Sequence, residues 1–387
     1  MNILLDFIPL QHNGGIGGAA SFTKAVCDEV CLRSSSKDCL FATFDSSQPI
    51  GNQYDYQEYA QKHSIQLLDL ASFTLSQLIG KHNINTFFMP IGQFYKDYSL
   101  EGIKCKVVIG IHDIWHVERV DNRIELVIHD EIAESKWRWA KRMVNTISGR
   151  FNRQQQAIYN HIIPLYSAPN TFAFTVSEYT RNALLYYFPQ LSGKEIHICY
   201  SPARNIIMQP KIENKALRKI IEERKKYLLM LATNRRLKNA QTLIKVFKRL
   251  LSDYPDLHLI TTRYGHSVNP QHIDIPFLSD SDLEHAYKNA HALVFGSFFE
   301  GFGYPPIEAM KHGTPCVASN VTSIPEILGN AGIYFSPFYP ADMYSAIKGV
   351  LNDRNCRKGQ IARRFSEVSQ RQQNDLKKLV DELFHIG

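Results

Sequence analysis

Two glutamates, Glu300 and Glu308, stand eight positions apart in SFFEGFGYPPIEAMKHGTPCVAS, residues 297–319. Between them lie Gly301, Phe302, Gly303, Tyr304 and the pair Pro305–Pro306. Proline suits the first turn of a helix, where its missing N–H costs nothing. The glycines let the backbone turn sharply and come close to a ligand. The N–H groups at a helix start form an anion site. Such a turn offers donors for a phosphate next to carboxylates that accept from sugar hydroxyls. Each acid alone has a plainer reading: Glu308 complements the helix dipole, and Glu300 is a solvated loop acid.

Four other groups of residues bear on chemistry. NRRLKN, residues 234–239, gathers Arg235, Arg236 and Lys238. Such cations suit an anionic group, and stabilising developing charge is commonly the largest catalytic effect. As an alternative they flank a helix at the surface. His112 and His116 follow the apolar run KVVIGI, where either could be a satisfied structural histidine. The loop GGIGGAA, residues 14–20, follows the first apolar run and contains Gly17 and Gly18. With Asp45 further on, it meets a loose dinucleotide fingerprint. Asp280 and Asp282 form an Asp-x-Asp triplet, but they stand just before a helical pattern and are placed to cap it; no metal site is expected.

These residues must be positioned by alternating strands and helices. NILLDFIPL, CLFATFD, INTFFMP, KVVIGIHD and FAFTVS are short apolar runs between polar or helix-patterned stretches. The second half repeats the pattern: KYLLMLAT, LHLITTR, HALVFGS, PCVAS and NAGIYFSP read as strands. NAQTLIKVFKRLLSD, DSDLEHAYKNA, PPIEAMKHG and ADMYSAIKGVLND read as helices between them. That alternation indicates α/β domains with parallel sheets. At 387 residues the chain exceeds what one core usually serves. The boundary is expected in SPARNIIMQPKIENK, where prolines and charges gather. The expected domains are 1–204, 205–365 and a C-terminal helical segment 366–387.

Bulk composition narrows little further. Net charge is +7, from 44 basic and 37 acidic residues, which suits an anionic partner without choosing one. The seven cysteines are scattered and odd in number, as for free thiols in a reducing compartment. MNILLDFIPL lacks a basic leader, and no apolar run reaches the ~18 residues of a membrane span. The stretch from Val117 to about Ile163 breaks the strand rhythm and carries KWRWAKR. Trp137 and Trp139 read first as packed aromatics on a helix, and second as a surface facing an acceptor or an anionic membrane.

The segment SFFEGFGYPPIEAMKHGTPCVASNVTSIPEILGNAGIYFSP resembles the signature of retaining glycosyltransferase family 4. Weaker likeness extends through FLSDSDLEHAYKNAHALVFGS, LATNRRLKNAQTLIKVF, FTVSEYTRNAL, IGIHDIWH and GGIGGAA. The resemblance implies a GT-B fold, two Rossmann-like domains with parallel sheets facing a central cleft. It implies an acceptor-binding N-terminal domain, a C-terminal domain holding the nucleotide sugar, and a last helix crossing back. It also implies roles. Glu308 would bind ribose hydroxyls, and Glu300 the hydroxyls of the transferred sugar. Gly301, Phe302 and Gly303, with Tyr304 beside them, would lie against sugar and diphosphate. Lys238, with Arg235 or Arg236, would neutralise the leaving group. His112 would sit at the reacting sugar, Gly17 and Gly18 near diphosphate or acceptor, and Phe277 and Leu278 at the base. Two positions depart from the pattern: Ala232 stands where many members have an arginine, and Gly296 where a proline is common.

The activity so implied is hexose transfer from a UDP- or GDP-type sugar to a hydroxyl acceptor such as a sugar or lipid-linked glycan. No cofactor, metal or nucleic-acid partner is expected. The location implied is cytoplasmic, with room for weak peripheral contact at the inner membrane face. A nicotinamide-dependent oxidoreductase and a sugar-nucleotide binding protein without turnover are the alternatives.

Overall fold

The computed structural model describes residues 1–11, 17–48, 55–92, 100, 102–115, 117–118, 144, 160, 163–204, 206–355 and 357–385. Gly14, Gly15, His116, Trp137 and Trp139, each singled out by the sequence, lie outside them. Two compact units are present, the first made of Met1–Asp121, Gly149–Arg204 and Arg371–Gly387. The second includes Asn205–Gln370.

The first unit is built on seven parallel strands: β1 Asn2–Asp6, β2 Cys39–Phe44, β3 Gln66–Asp69, β4 Thr86–Met89, β5 Lys106–Ile111, β6 Thr171–Thr175 and β7 Ile196–Ile198. Their order in the sheet is β3-β2-β1-β4-β5-β6-β7. Its helices among the described residues include α1 Ile8–Gln11, α2 Gly18–Arg33, α3 Tyr56–Lys62, α4 Leu75–Lys81 and α5 Glu178–Tyr187. The central strands read TFFM and KVVIGI because both faces of a parallel sheet are covered. Leu4, Phe87, Val107 and Ile109 are buried at the centre of this core.

The second unit has six parallel strands: β8 Tyr227–Met230, β9 His258–Thr262, β10 His272–Ile275, β11 Ala292–Phe295, β12 Cys316–Ser319 and β13 Ile333–Phe335. The order β10-β9-β8-β11-β12-β13 is that of a doubly wound dinucleotide-binding sheet. Its helices are α6 Lys215–Glu222, α7 Ala240–Leu250, α8 Asp280–Asn289, α9 Tyr304–Lys311, α10 Ile324–Leu328 and α11 Pro340–Asn352. Leu228, Leu243, Phe247, Leu259 and Val294 form its core.

A final helix, α12, runs Lys358–Phe384 without a break. Within the first unit, its Asp375 accepts from the Tyr200 backbone N–H at 3.0 Å. Gln372 donates to the Ser201 carbonyl at 2.6 Å, and Glu382 pairs with Lys106 at 2.6 Å. Leu379, Val380 and Leu383 are buried.

Three strands, β3, β7 and β10, have no counterpart in the sequence reading. Each is an edge strand of three or four residues. QLLD, IHI and HIDI lack the apolar run that marks a strand covered on both faces, so their signal is weak.

Candidate functional site

In an open parallel sheet, ligands lie outside the carboxyl ends of the strands where the strand order reverses. In the second unit that point falls between β8 and β11, which pair through Ala292 with Leu228 and Leu293 with Leu229. Two loops leave there: residues 231–239 after β8, and 296–303 after β11. They carry NRRLKN and Glu300, the two charge clusters singled out by the sequence.

The first loop is pinned to the end of β9. The Ala232 N–H donates to Thr262 Oγ1 at 2.8 Å, and the Thr233 hydroxyl donates to the Thr262 carbonyl at 2.8 Å. Ala232 adopts φ 53°, a left-handed conformation unusual for alanine. A short 3-10 turn, Arg236–Lys238, then ends at left-handed Asn239, whose side chain donates to the Pro337 carbonyl at 2.9 Å. Asparagine tolerates that conformation better than most residues. This turn directs Lys238 toward the second loop.

There Lys238 Nζ forms an ion pair with Glu300 Oε1. The Ser297 hydroxyl donates to the same oxygen at 2.6 Å. Glu300 Oε2 takes no bond from the described residues, so a ligand hydroxyl has an acceptor there. Lys238 Nζ also stands 4.9 Å from the Phe295 ring centroid, within cation–π range. The Phe298 N–H donates to the Leu237 carbonyl at 2.8 Å, which joins the two loops. Side-chain exposure is 14% for Lys238 and 16% for Glu300, low enough to strengthen the pair yet open on one side.

Residues after β12 hold this backbone in place. The Glu300 N–H donates to Thr322 Oγ1 at 3.1 Å. The Ser323 hydroxyl reaches the carbonyls of Glu300 at 3.0 Å and Phe302 at 3.1 Å. Thr322 sits at φ 53°, an outlier for a β-branched residue, and such strain tends to collect at functional sites.

Gly303, at φ 106°, occupies the position before α9, where a side chain would be strained. Tyr304 opens the helix, and Pro305 and Pro306 follow in its first turn. Glu308 is the fifth helical residue, beyond that turn. Its carboxylate accepts from the Tyr287 hydroxyl of α8 at 2.7 Å, and it is 9% exposed. A dipole-complementing surface acid would be solvated, so the plainer reading of Glu308 does not fit. Helices α8 and α9 meet again at Glu284, which pairs with Lys311 at 2.6 Å and His312 at 2.8 Å. Burial pushes the Glu284 carboxyl up, but the bonds from His312 and Lys311 outweigh it and hold the group below its usual range.

The expected capping by the Asp-x-Asp triplet is corrected in detail. Ser279 is the cap and accepts from the Asp282 N–H at 3.1 Å. Asp280 and Asp282 lie in the first turn of α8. Asp282 accepts from the backbone N–H groups of Glu213 and Asn214, each at 2.9 Å, and so ties the start of α6 to α8.

The structure thus brings Lys238, Glu300, Gly301, Phe302, Gly303, Tyr304 and Glu308 onto two loops and one helix. Arg235 is exposed, while Arg236 has its Nε and Nη2 shielded from solvent. Phe277 is 54% exposed and Leu278 buried, in the loop between β10 and α8.

The remaining candidates belong to the first unit. Gly17, at φ 113°, precedes α2, which Gly18 opens. His112 follows β5, its ring edge-on to Phe22 at 4.7 Å between centroids. Burial lowers the His112 pKa to about 4, against the opposing effect of a hydrogen bond with the Pro90 backbone, so the imidazole is neutral at pH 7. Four residues escaped the sequence reading: Tyr287, Ser297, Thr322 and Ser323. Hydroxyl residues are common in such loops and helices, and nothing local marks the carboxylate, carbonyl or backbone N–H each one meets.

Known proteins bear on this geometry. Residues 212–370 match the family model described as glycosyl transferases group 1. That segment contains every second-unit residue just named. The chain is 39% identical over 94 residues to O-antigen chain mannosyltransferase B of Escherichia coli, covering 24% of this chain and 25% of that protein. It is 32% identical over 140 residues to O-antigen chain mannosyltransferase RfbU of Salmonella typhimurium, covering 33% of this chain and 39% of that protein. The matches therefore span well under half the length of these curated relatives. Among solved structures, Anabaena Alr3699/HepE in complex with UDP-glucose aligns with a TM-score of 0.63 at 13% identity, covering 99% of this chain and 98% of that one. The likeness at that identity is one of fold. The fold is GT-B, with two Rossmann-like domains on parallel sheets. Among the described residues no helix is long and apolar enough to cross a membrane.

Proposed function

We propose that this protein is a retaining glycosyltransferase of family 4 that moves a hexose from a nucleoside-diphosphate sugar to a hydroxyl acceptor. The observation that carries this reading is the Lys238–Glu300 ion pair at the switch point of the second sheet, one turn before buried Glu308. A donor has three parts to recognise, and the turn has groups for each. Glu300 Oε2 suits hydroxyls of the transferred sugar. Lys238 and the N–H groups at the start of α9 suit the diphosphate. Glu308 suits the ribose, and the loop at Phe277 and Leu278 the base.

In the transfer, the bond from the anomeric carbon to the diphosphate oxygen breaks, and its electron pair leaves with the phosphate. The acceptor oxygen bonds to the anomeric carbon on the same face. Its proton passes to an oxygen of the departing phosphate. Lys238, with Arg235 or Arg236, offsets the charge that develops, a role a divalent cation plays in other transferases. His112, neutral at pH 7, suits a hydrogen bond to the reacting sugar and not a charge on it. Gly17 and Gly18 suit close backbone approach by acceptor or diphosphate. The O-antigen mannosyltransferase relatives support a sugar or lipid-linked glycan acceptor in polysaccharide assembly, and mannose among the candidate sugars. That setting fits a cytoplasmic protein with weak peripheral contact at the inner membrane face.

The test is release of free nucleoside diphosphate from a panel that includes GDP-mannose and UDP-glucose, with the anomeric configuration of the product read by NMR. Retained configuration and insensitivity to chelator are expected. An inverted product, or activity that chelator abolishes and manganese restores, contradicts the mechanism. Binding without release supports the non-catalytic alternative, and a 340 nm signal on reduction of bound nicotinamide supports the oxidoreductase.

A further inference from the structure

Glu308 is not exposed at the rim of its turn; it is held from behind. Tyr287, fully buried on α8, donates its hydroxyl to Glu308 Oε2 at 2.7 Å. Tyr287 is itself fixed, since its carbonyl accepts from the Thr314 hydroxyl at 2.7 Å in the segment leading into β12. The face of α8 that carries Tyr287 also carries Glu284, one turn earlier, which pairs with Lys311 and His312 at the far end of α9. Helix α9 is therefore joined to α8 at its middle and at its carboxyl end. A carboxylate on a flexible side chain loses rotamer freedom when it binds a hydroxyl. A phenol that fixes one of its oxygens removes part of that cost in advance and leaves the other oxygen directed.

We propose that Tyr287 is a positioning residue for recognition of the donor's ribose: it orients Glu308 so that the carboxylate discriminates ribose from 2′-deoxyribose. This rests on the donor reading above, in which Glu308 meets the ribose hydroxyls. A hydrogen bond from a hydroxyl to a carboxylate is worth about tenfold or more in affinity, so loss of the 2′-hydroxyl is a sensitive probe.

The experiment measures the affinity of the full chain by calorimetry for UDP against dUDP and for GDP against dGDP. Wild type, Tyr287→Phe and Glu308→Ala are compared. Wild type is expected to prefer the ribonucleotide of the base it accepts by about tenfold. Glu308→Ala should bind both forms about equally. Tyr287→Phe keeps the ring and the fold, and should narrow the preference to about threefold, with native secondary structure at the assay temperature and a melting midpoint lowered by no more than the loss of one buried hydrogen bond. Wild type without a ribose preference, or Glu308→Ala retaining it, overturns the donor reading and the proposal with it. Loss of preference in Glu308→Ala together with full preference in Tyr287→Phe overturns the proposal alone. A purely structural role for Tyr287 would weaken both nucleotides equally and leave their ratio untouched, which also contradicts the proposal.

Discussion

Lys238 and Glu300 neutralise each other without a ligand, and a nucleotide sugar would give each a new partner. Lys238→Ala should reduce transfer about a hundredfold, the usual effect of removing a group that meets developing charge. Initial rates at saturating donor check this, and near-normal turnover would remove Lys238 from its role. His112 gives a second residue-scale expectation. Its folded pKa of about 4 lies below the ordinary 6.5, so the unfolded chain takes up the proton first. Its contribution is complete above about pH 6.5 and is lost as pH falls toward 4, up to about 3 kcal/mol. The urea midpoint of wild type should therefore fall relative to that of His112→Phe between pH 7 and pH 4.5. At this scale the sequence disclosed the charged groups, because Glu-Gly-x-Gly-x-Pro-Pro and Arg-Arg-x-Lys each concentrate unusual residues in a few positions. It concealed their hydroxyl partners. Ser297 meets Glu300 three positions away, but Thr322 and Ser323 reach it from across β12, and Tyr287 reaches Glu308 from another helix.

Among the elements, the turn between β11 and α9 is held open by the start of the next turn, the one between β12 and α10. Ser323 supplies the single hydroxyl that serves the carbonyls of both Glu300 and Phe302. Ser323→Ala leaves those acceptors unmet by it in a buried place and should cost about 1–3 kcal/mol, read as a lower midpoint in urea at constant slope. An unchanged midpoint would mean that the turn keeps its shape without the clamp. The strands that carry the two loops were legible because YLLM and ALVF are buried on both faces. Edge strands β3, β7 and β10 were not, because half-covered segments such as HIDI alternate apolar and polar residues over too short a length. The capping of α8 followed the same logic: an acidic triplet draws attention, yet Ser279 next to it does the capping and Asp282 turns to the start of α6.

For the whole molecule, each unit has its own sheet and core, and each has the doubly wound strand order around its first and fourth strands. The alternation of strand and helix makes this fold class readable in the sequence. The start of α12 is less so: the helical segment expected from residue 366 begins at Lys358, and a polar tail carries no sharp start signal. In the first unit α12 buries Leu379, Val380 and Leu383 and bonds to Lys106, Tyr200 and Ser201. A chain ending at Gln370 should expose that apolar surface, and amide exchange in β5 and β7 should then rise by orders of magnitude. Exchange rates equal to those of the full chain would show that the helix adds nothing to the first unit.

The central claim is that the turn around Glu300 grips an activated sugar by its hydroxyls and its diphosphate together. A crystal structure with an intact, non-transferable nucleotide sugar measures this most directly. The expected result has the sugar on Glu300, the diphosphate at Lys238 and the start of α9, and the ribose on Glu308. A nucleotide bound at Gly17 and Gly18, with the turn from Gly296 to Glu308 empty, would contradict it.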